Sequence, residues 1–207
     1  MLKCGIDIGG TNIKFGFFDG EKKVNSVVIK TPKVKEKVIP SIVCEIKKKY
    51  KPSDILGYTV AIPGVVLNDV VVFAPNTDIF GLNFKEELGL LLENDNIIVE
   101  NDANLQAMAE AKATDLDDLI LISIGTGLGG GIIIDGKLLN KNGFAGEIGH
   151  IKVHFGANSR MCGCGKLGCS EAYVSCKAIV KDYNDINHTN VNSKELFDLA
   201  RAKDKLA

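Results

Sequence analysis

The sequence lacks an excess of either charge. Its 207 residues carry 25 Lys+Arg against 26 Asp+Glu, a net charge of −1. That balance removes the usual ground for nucleic-acid binding or for attraction to an anionic membrane. No apolar run reaches the roughly 18 residues that a spanning helix needs. The opening MLKCGIDIGG has no basic stretch, long apolar stretch and cleavage site in succession, so no secretory leader is read there. No repeat recurs at solenoid periods. Charged residues at 25% and hydrophobic residues at 45% exclude global disorder. What these absences leave is a soluble, cytoplasmic chain, large enough to bury about 70% of its unfolded surface.

What is present is an alternation of strands and helices. Residues 2–8 and 13–18 are apolar runs parted by Gly9-Gly10-Thr11, and 24–29 is a third; they read as a small sheet. Val38, Ile39, Ile42, Val43 and Ile46 make a helical stripe within 36–50, with Lys47, Lys48 and Lys49 suited to the negative end of its dipole. Residues 55–62 read as a strand ending at Pro63-Gly64, and 65–73 as extended chain around an Asn68-Asp69 turn. A helix over 83–92, a strand over 97–100 and an alanine-rich helix over 103–113 follow. Strands at 119–124 and 132–134 then flank a loop of Gly125-Thr126-Gly127-Leu128-Gly129-Gly130-Gly131. The polar stretch 182–193 reads as a loop, with Asn192 or Ser193 capping a last helix over 194–206.

Gly125, Gly127 and Gly130 fit G-x-G-x-x-G, but the dinucleotide reading needs a helix after the loop. Here a short β-branched run follows, and no Gly-Lys-Ser/Thr supplies the alternative phosphate loop. A hairpin with Gly or Thr at its tip still suits phosphate, because glycine admits close backbone approach and successive N–H groups make an anion nest. Asp7-Ile8-Gly9-Gly10-Thr11 is built the same way, and Asp7 alternates out of the apolar run towards a Mg²⁺ carried by nucleotide phosphates. Each hairpin alone is equally well a tight turn; the pair points to a nucleotide held between two halves.

The six cysteines divide by spacing. Cys4, Cys44 and Cys176 stand among apolar neighbours and read as buried thiols. Cys162-x-Cys164-x4-Cys169 gathers three thiols in a glycine-rich loop, a pattern that favours zinc over disulfides in a cytosolic chain. Zinc takes four ligands, and His150, His154 and His188 are the candidates for the fourth.

The pair DIGGT and GTGLGGG resembles the actin-like ATPase fold. More specifically, Glu100-Asn101-Asp102-Ala103-Asn104, Ala145-Gly146-Glu147-Ile148-Gly149-His150 and the segment from Cys162 to Glu171 resemble the ROK family of repressors, open reading frames and kinases. The resemblance implies an α/β, ribonuclease H-like fold of two lobes. Residues 1–115 would form the small lobe, and 116–207 the start of a second lobe. It implies ATP-dependent phosphorylation of a hexose, glucose to glucose 6-phosphate foremost, with Mg²⁺. Asp102 becomes the general base, where spacing alone reads a helix cap. Gly64, Asn101, Asp102, Glu147, His150 and Glu171 become sugar contacts, and Asp7, Gly9, Gly10, Thr11, Gly125, Thr126, Gly127 and Gly129 contacts for ATP. His150 becomes the fourth ligand of a structural zinc with Cys162, Cys164 and Cys169.

Family members run longer than 207 residues, and the further part carries a later glycine motif and the adenine pocket. The expectation is therefore an incomplete second lobe, with a sugar-binding but catalytically silent chain as the alternative to a kinase. Phe80-Gly81-Leu82-Asn83 departs from the family, which often has Trp after this Gly. No DNA-binding segment precedes Leu2, which disfavours the repressor branch, and a homodimer is the assembly the family suggests.

Overall fold

The computed structural model describes residues 1–74, 77–140 and 143–204. Strands β1 (Leu2–Ile8), β2 (Asn12–Asp19) and β3 (Lys22–Lys30) form an antiparallel meander. Helix α1 (Val38–Lys49) returns the chain to β4 (Ile55–Ile62), which pairs parallel with β1. The β5–β6 hairpin (Val65–Leu67, Val70–Phe73) turns on Asn68 and Asp69, both at positive φ as a two-residue hairpin turn requires. Helix α2 (Phe84–Leu92) then leads to β7 (Ile97–Asn101), parallel to β4. The first sheet thus has the order β3-β2-β1-β4-β7.

Period-two burial sets its core. Cys4, Ile6 and Ile8 of β1, Ile13, Phe15 and Phe17 of β2, and Tyr58, Val60 and Ile62 of β4 share one buried face. The α1 stripe and Phe84, Leu88 and Leu92 of α2 join that cluster. Pro40 falls in the first turn of α1, where its missing N–H breaks no helical bond.

Helix α3 (Asp102–Thr114) leads into a second meander, β8 (Leu119–Ile124), β9 (Leu128–Ile134) and β10 (Lys137–Leu138), ordered β10-β9-β8. The boundary expected at 115/116 falls beside Asp115, the left-handed residue that closes α3. Past the glycine-rich loop come α4 (Glu171–Val174), α5 (Cys176–Asn187) and α6 (Ser193–Arg201).

Four local expectations need correction. Gly129, Gly130 and Gly131 lie within β9 instead of a loop. A Cβ on Gly131 would stand 2.6 Å from that of Ala107 and one on Gly129 3.2 Å from that of Ala103, so these two let α3 lie against the strand, while Gly130 makes room for Gly146 and Ile148 on the other face. Asp182 to Asn187 belong to α5, which Ser175 caps and which buries Ala178 and Tyr183; its polar residues form the solvent face. Cys44 is exposed and Cys176 half-buried, so of the three scattered thiols only Cys4 is buried. Finally, Asn101 caps α3 by accepting from the Asn104 N–H, and Asp102 is the helix's first residue. Helix α6 is opened by a capping box of Asn192 and Glu195 and ends at Arg201; the expected extension to Leu206 reaches residues 205–207, outside the described set.

Candidate active site

The parallel strands β1, β4 and β7 end on one side, and a cleft of about 740 Å³ opens there. Ligands in open α/β sheets bind outside such carboxyl ends. The cleft walls include Asp7, Gly10 and Thr11 of the first hairpin and Gly125, Thr126, Gly127 and Gly129 of the second. Gly64, Asn101, Asp102, Glu147, His150 and Glu171 complete the set expected from sequence. Gly9 is the exception: it does not line the cleft, and its N–H donates to the Asn12 carbonyl inside the hairpin. Its carbonyl accepts from the Thr31 hydroxyl at 2.6 Å. Phe73, Gln106 and Ser123 also line the walls, and no motif marks them.

Local bonds hold these groups in place. Asn101 donates through Nδ2 to the Gly64 carbonyl at 2.9 Å while its Oδ1 caps α3. One N–H and one lone pair of that amide remain for a ligand. Gly64 must be glycine because a Cβ would collide with the Phe73 carbonyl. Glu171 accepts from the Leu128 N–H at 3.0 Å and from the Cys162 thiol at 3.4 Å, which joins the cysteine loop to the second hairpin. Asp7 pairs with Lys14 at 3.1 Å.

Charge accumulates around the cleft. Desolvation by the walls holds the Asp102 carboxyl above its ordinary range; the Ala103 N–H opposes this and the Asp7 charge adds to it. Glu147 is raised as well, first by desolvation, with His150 lowering it and Asp102 and Glu171 raising it. A carboxylate kept basic in this way is suited to take a proton.

Beside Glu147 and Glu171 stands the expected metal set. One ligand atom each from His150, Cys162, Cys164 and Cys169 lies within 4.8 Å of the others. Zn–S bonds of about 2.3 Å place tetrahedral sulfurs about 3.8 Å apart. The Cys164 and Cys169 sulfurs are 3.8 Å apart, and Cys162 Sγ lies 3.7 Å from His150 Nδ1. The donor set fits zinc. Burial pushes the Cys162 thiol up to about 12, so a thiolate there calls for a cation close by. His150 turns its Nε2 towards Glu147, 3.8 Å from Oε2. Of the rival histidines, His154 bonds Ser159 through Nδ1 and His188 closes α5.

Sheet order, paired glycine hairpins and an acid-lined cleft define a protein of the actin-like ATPase fold. The profile of the ROK family matches residues 3–207, and the chain belongs to that family. It is 36% identical over 187 residues to a glucokinase of Streptomyces coelicolor, an alignment covering 87% of this chain and 58% of that enzyme. It is 30% identical over 220 residues to an N-acetyl-D-glucosamine kinase of Citrobacter koseri, covering 98% and 72% of the two chains. The crystal structure of a ROK family glucokinase from Streptomyces griseus, in complex with glucose and AMPPNP, superposes with a TM-score of 0.83 at 32% identity. That match covers 100% of this chain and 73% of the other. The chain therefore spans 58% of the length of the Streptomyces coelicolor relative. Among the described residues no helix is long and apolar enough to cross a membrane.

Proposed function

We propose that this chain catalyses ATP-dependent phosphorylation of a hexose hydroxyl, glucose to glucose 6-phosphate foremost, in the cytoplasm. The observation that carries the reading is the meeting of Asp102, Glu147, His150 and Glu171 with both glycine hairpins in one cleft. Asp102 accepts the proton of the sugar hydroxyl as that oxygen bonds to the γ-phosphorus and the bond to the β-phosphate oxygen breaks. Asn101, Glu147, His150 and Glu171 hold the other hydroxyls, each of which is both donor and acceptor. Backbone N–H groups at the hairpin tips bind the phosphates. Magnesium, with Asp7 as its protein carboxylate, would neutralise charge on the phosphates. Zinc on His150, Cys162, Cys164 and Cys169 would close the sugar-side loop structurally.

The test is ADP release with Mg-ATP and a hexose panel, beside Asp102→Asn. Hexose-dependent turnover that falls at least about 1000-fold in the variant, with sugar affinity and zinc content retained, supports the assignment. Retained turnover removes Asp102 from the role of base. The second reading, sugar binding without turnover, draws on the chain spanning 58% of its glucokinase relative. It predicts hexose binding by calorimetry and no ADP. A homodimer is the assembly proposed for either reading, to be checked by sedimentation.

A further inference from the structure

Glu100 precedes the sugar-side corner and has no part in the reading above, yet its carboxylate is the most connected in the neighbourhood. Oε1 accepts from the Asn101 N–H at 2.8 Å and from Asn104 Nδ2 at 3.0 Å. Oε2 accepts from Asn140 Nδ2 at 2.7 Å. Asn104 is 2% exposed and sits in the first turn of α3. Asn140 follows β10, so its bond crosses from the first sheet to the second. The three donors converge on a half-buried anion, and charge-assisted bonds of this kind are about twice as strong as neutral ones. Removing the carboxylate would leave all three unpaired.

We propose that Glu100 is a positioning residue: it fixes the strand-to-helix corner that presents Asn101 and Asp102, and through Asn140 it ties that corner to the second sheet. The proposal rests on the reading of Asp102 as the working carboxylate. A corner held from both sheets keeps Asp102 facing the second hairpin, across which the transferred group must lie. Asn140 also explains itself this way, because its Oδ1 is buried without a partner and its Nδ2 bond to Glu100 is what holds it there.

The test is a swap of polarity across one contact. Asn140→Asp sets two carboxylates against each other, an arrangement disfavoured at pH 8. Adding Glu100→Gln restores a donor opposite the new carboxylate while the amide oxygen still accepts from Asn101 and Asn104. The expected kcat of Asn140→Asp falls about 100-fold, as a misplacement of about 1 Å does, with zinc content unchanged. The double variant should recover most of that loss.

A ¹³C titration of the Asp102 carboxyl is the readout that needs no turnover. Its midpoint should drop to the ordinary carboxylate range in Asn140→Asp, as the carboxyl leaves Asp7, Glu147 and the cleft walls for water, and rise again in the double variant. A double variant no better than the single one overturns the proposal, as does a titration indifferent to both changes. Loss of zinc together with turnover overturns it too, by making the contact one of general folding. Should Asp102→Asn retain turnover, the assignment of the base fails, while the titration still judges the corner.

Discussion

The two meanders of this chain share a plan and differ in what lies behind them. In each, a strand turns on a glycine-rich tip and runs back antiparallel, β1 to β2 through Gly9–Thr11 and β8 to β9 through Gly125–Gly127. The first is backed by a continuous core from Cys4 to Val99 that includes two helices. In the second, Ile133 is the buried hydrophobic among the described strand residues, while Ile120, Ile122 and Ile124 are 67%, 61% and 53% exposed. The first half is held by apolar burial. The second is held by small-residue contact with α3 and by Glu171, which bonds both the cysteine loop and the second hairpin. The same glycine-tipped hairpin is thus mounted on two unlike supports.

Chelation should separate them most sharply. If zinc holds the loop around Cys162, Cys164 and Cys169, its removal forfeits on the order of 10 kcal/mol of binding that is also local folding. Hydrogen exchange should then accelerate over residues 144–175 while β1, β4 and α1 stay protected. Equal acceleration in both halves would end the distinction. A large but smaller contrast is expected between equivalent strands. Ile6, 2% exposed in β1, should cost about 3 kcal/mol as Ile6→Ala. Ile122→Ala in β8 should cost about 0.5 kcal/mol or less, both read from urea unfolding.

The first support is largely legible in the sequence, and the misses have physical causes. The strands of the first sheet follow from apolar runs broken at Gly-Gly-Thr. The α1 stripe of Val38, Ile39, Ile42, Val43 and Ile46 already leaves Cys44 off the buried face, so that thiol's exposure was present in the periodicity. The glycines of β9 were not readable, because glycine signals a turn unless the partner that demands it is known, and Ala103 and Ala107 are distant in sequence. Residues 182–187 fail as a local signal for another reason: one buried Tyr183 anchors an otherwise polar helix turn. In the cleft, motif residues were found through resemblance, whereas Glu100 and Asn140 act through a contact 40 residues apart that no local pattern announces.

The glycine contact offers a finer probe. Gly131→Ala would bring a methyl to 2.6 Å from the Ala107 Cβ and 2.9 Å from the Ala103 carbonyl. It should cost about 1–3 kcal/mol as α3 is pushed from β9. Gly5→Ala in β1 meets Phe18 at an ordinary 3.9 Å and should be neutral or stabilising by about 0.5 kcal/mol. Similar costs at the two glycines would mean that both sheets tolerate small-residue changes alike.

The smallest effect concerns the seam between the supports, where Asp102 stands. The start of α3 favours a carboxylate there, and the Ala103 N–H does too, yet desolvation outweighs both and the carboxyl is raised above 3.8. Between the unfolded and folded values the folded chain binds more protons, so stability falls as pH rises through that window. Above the folded value the whole deficit is present; below about pH 3.8 it is gone. Asp102→Asn carries no such charge. It should therefore melt slightly higher than the parent near neutral pH, with the difference closing as pH falls through the carboxylate range, even while turnover is lost. Turnover in the parent should run the opposite way, rising with pH as Asp102 ionises. A variant that melts lower at every pH would mean that the carboxylate serves the fold at this corner, and that the seam is stabilised by the group assigned to its chemistry.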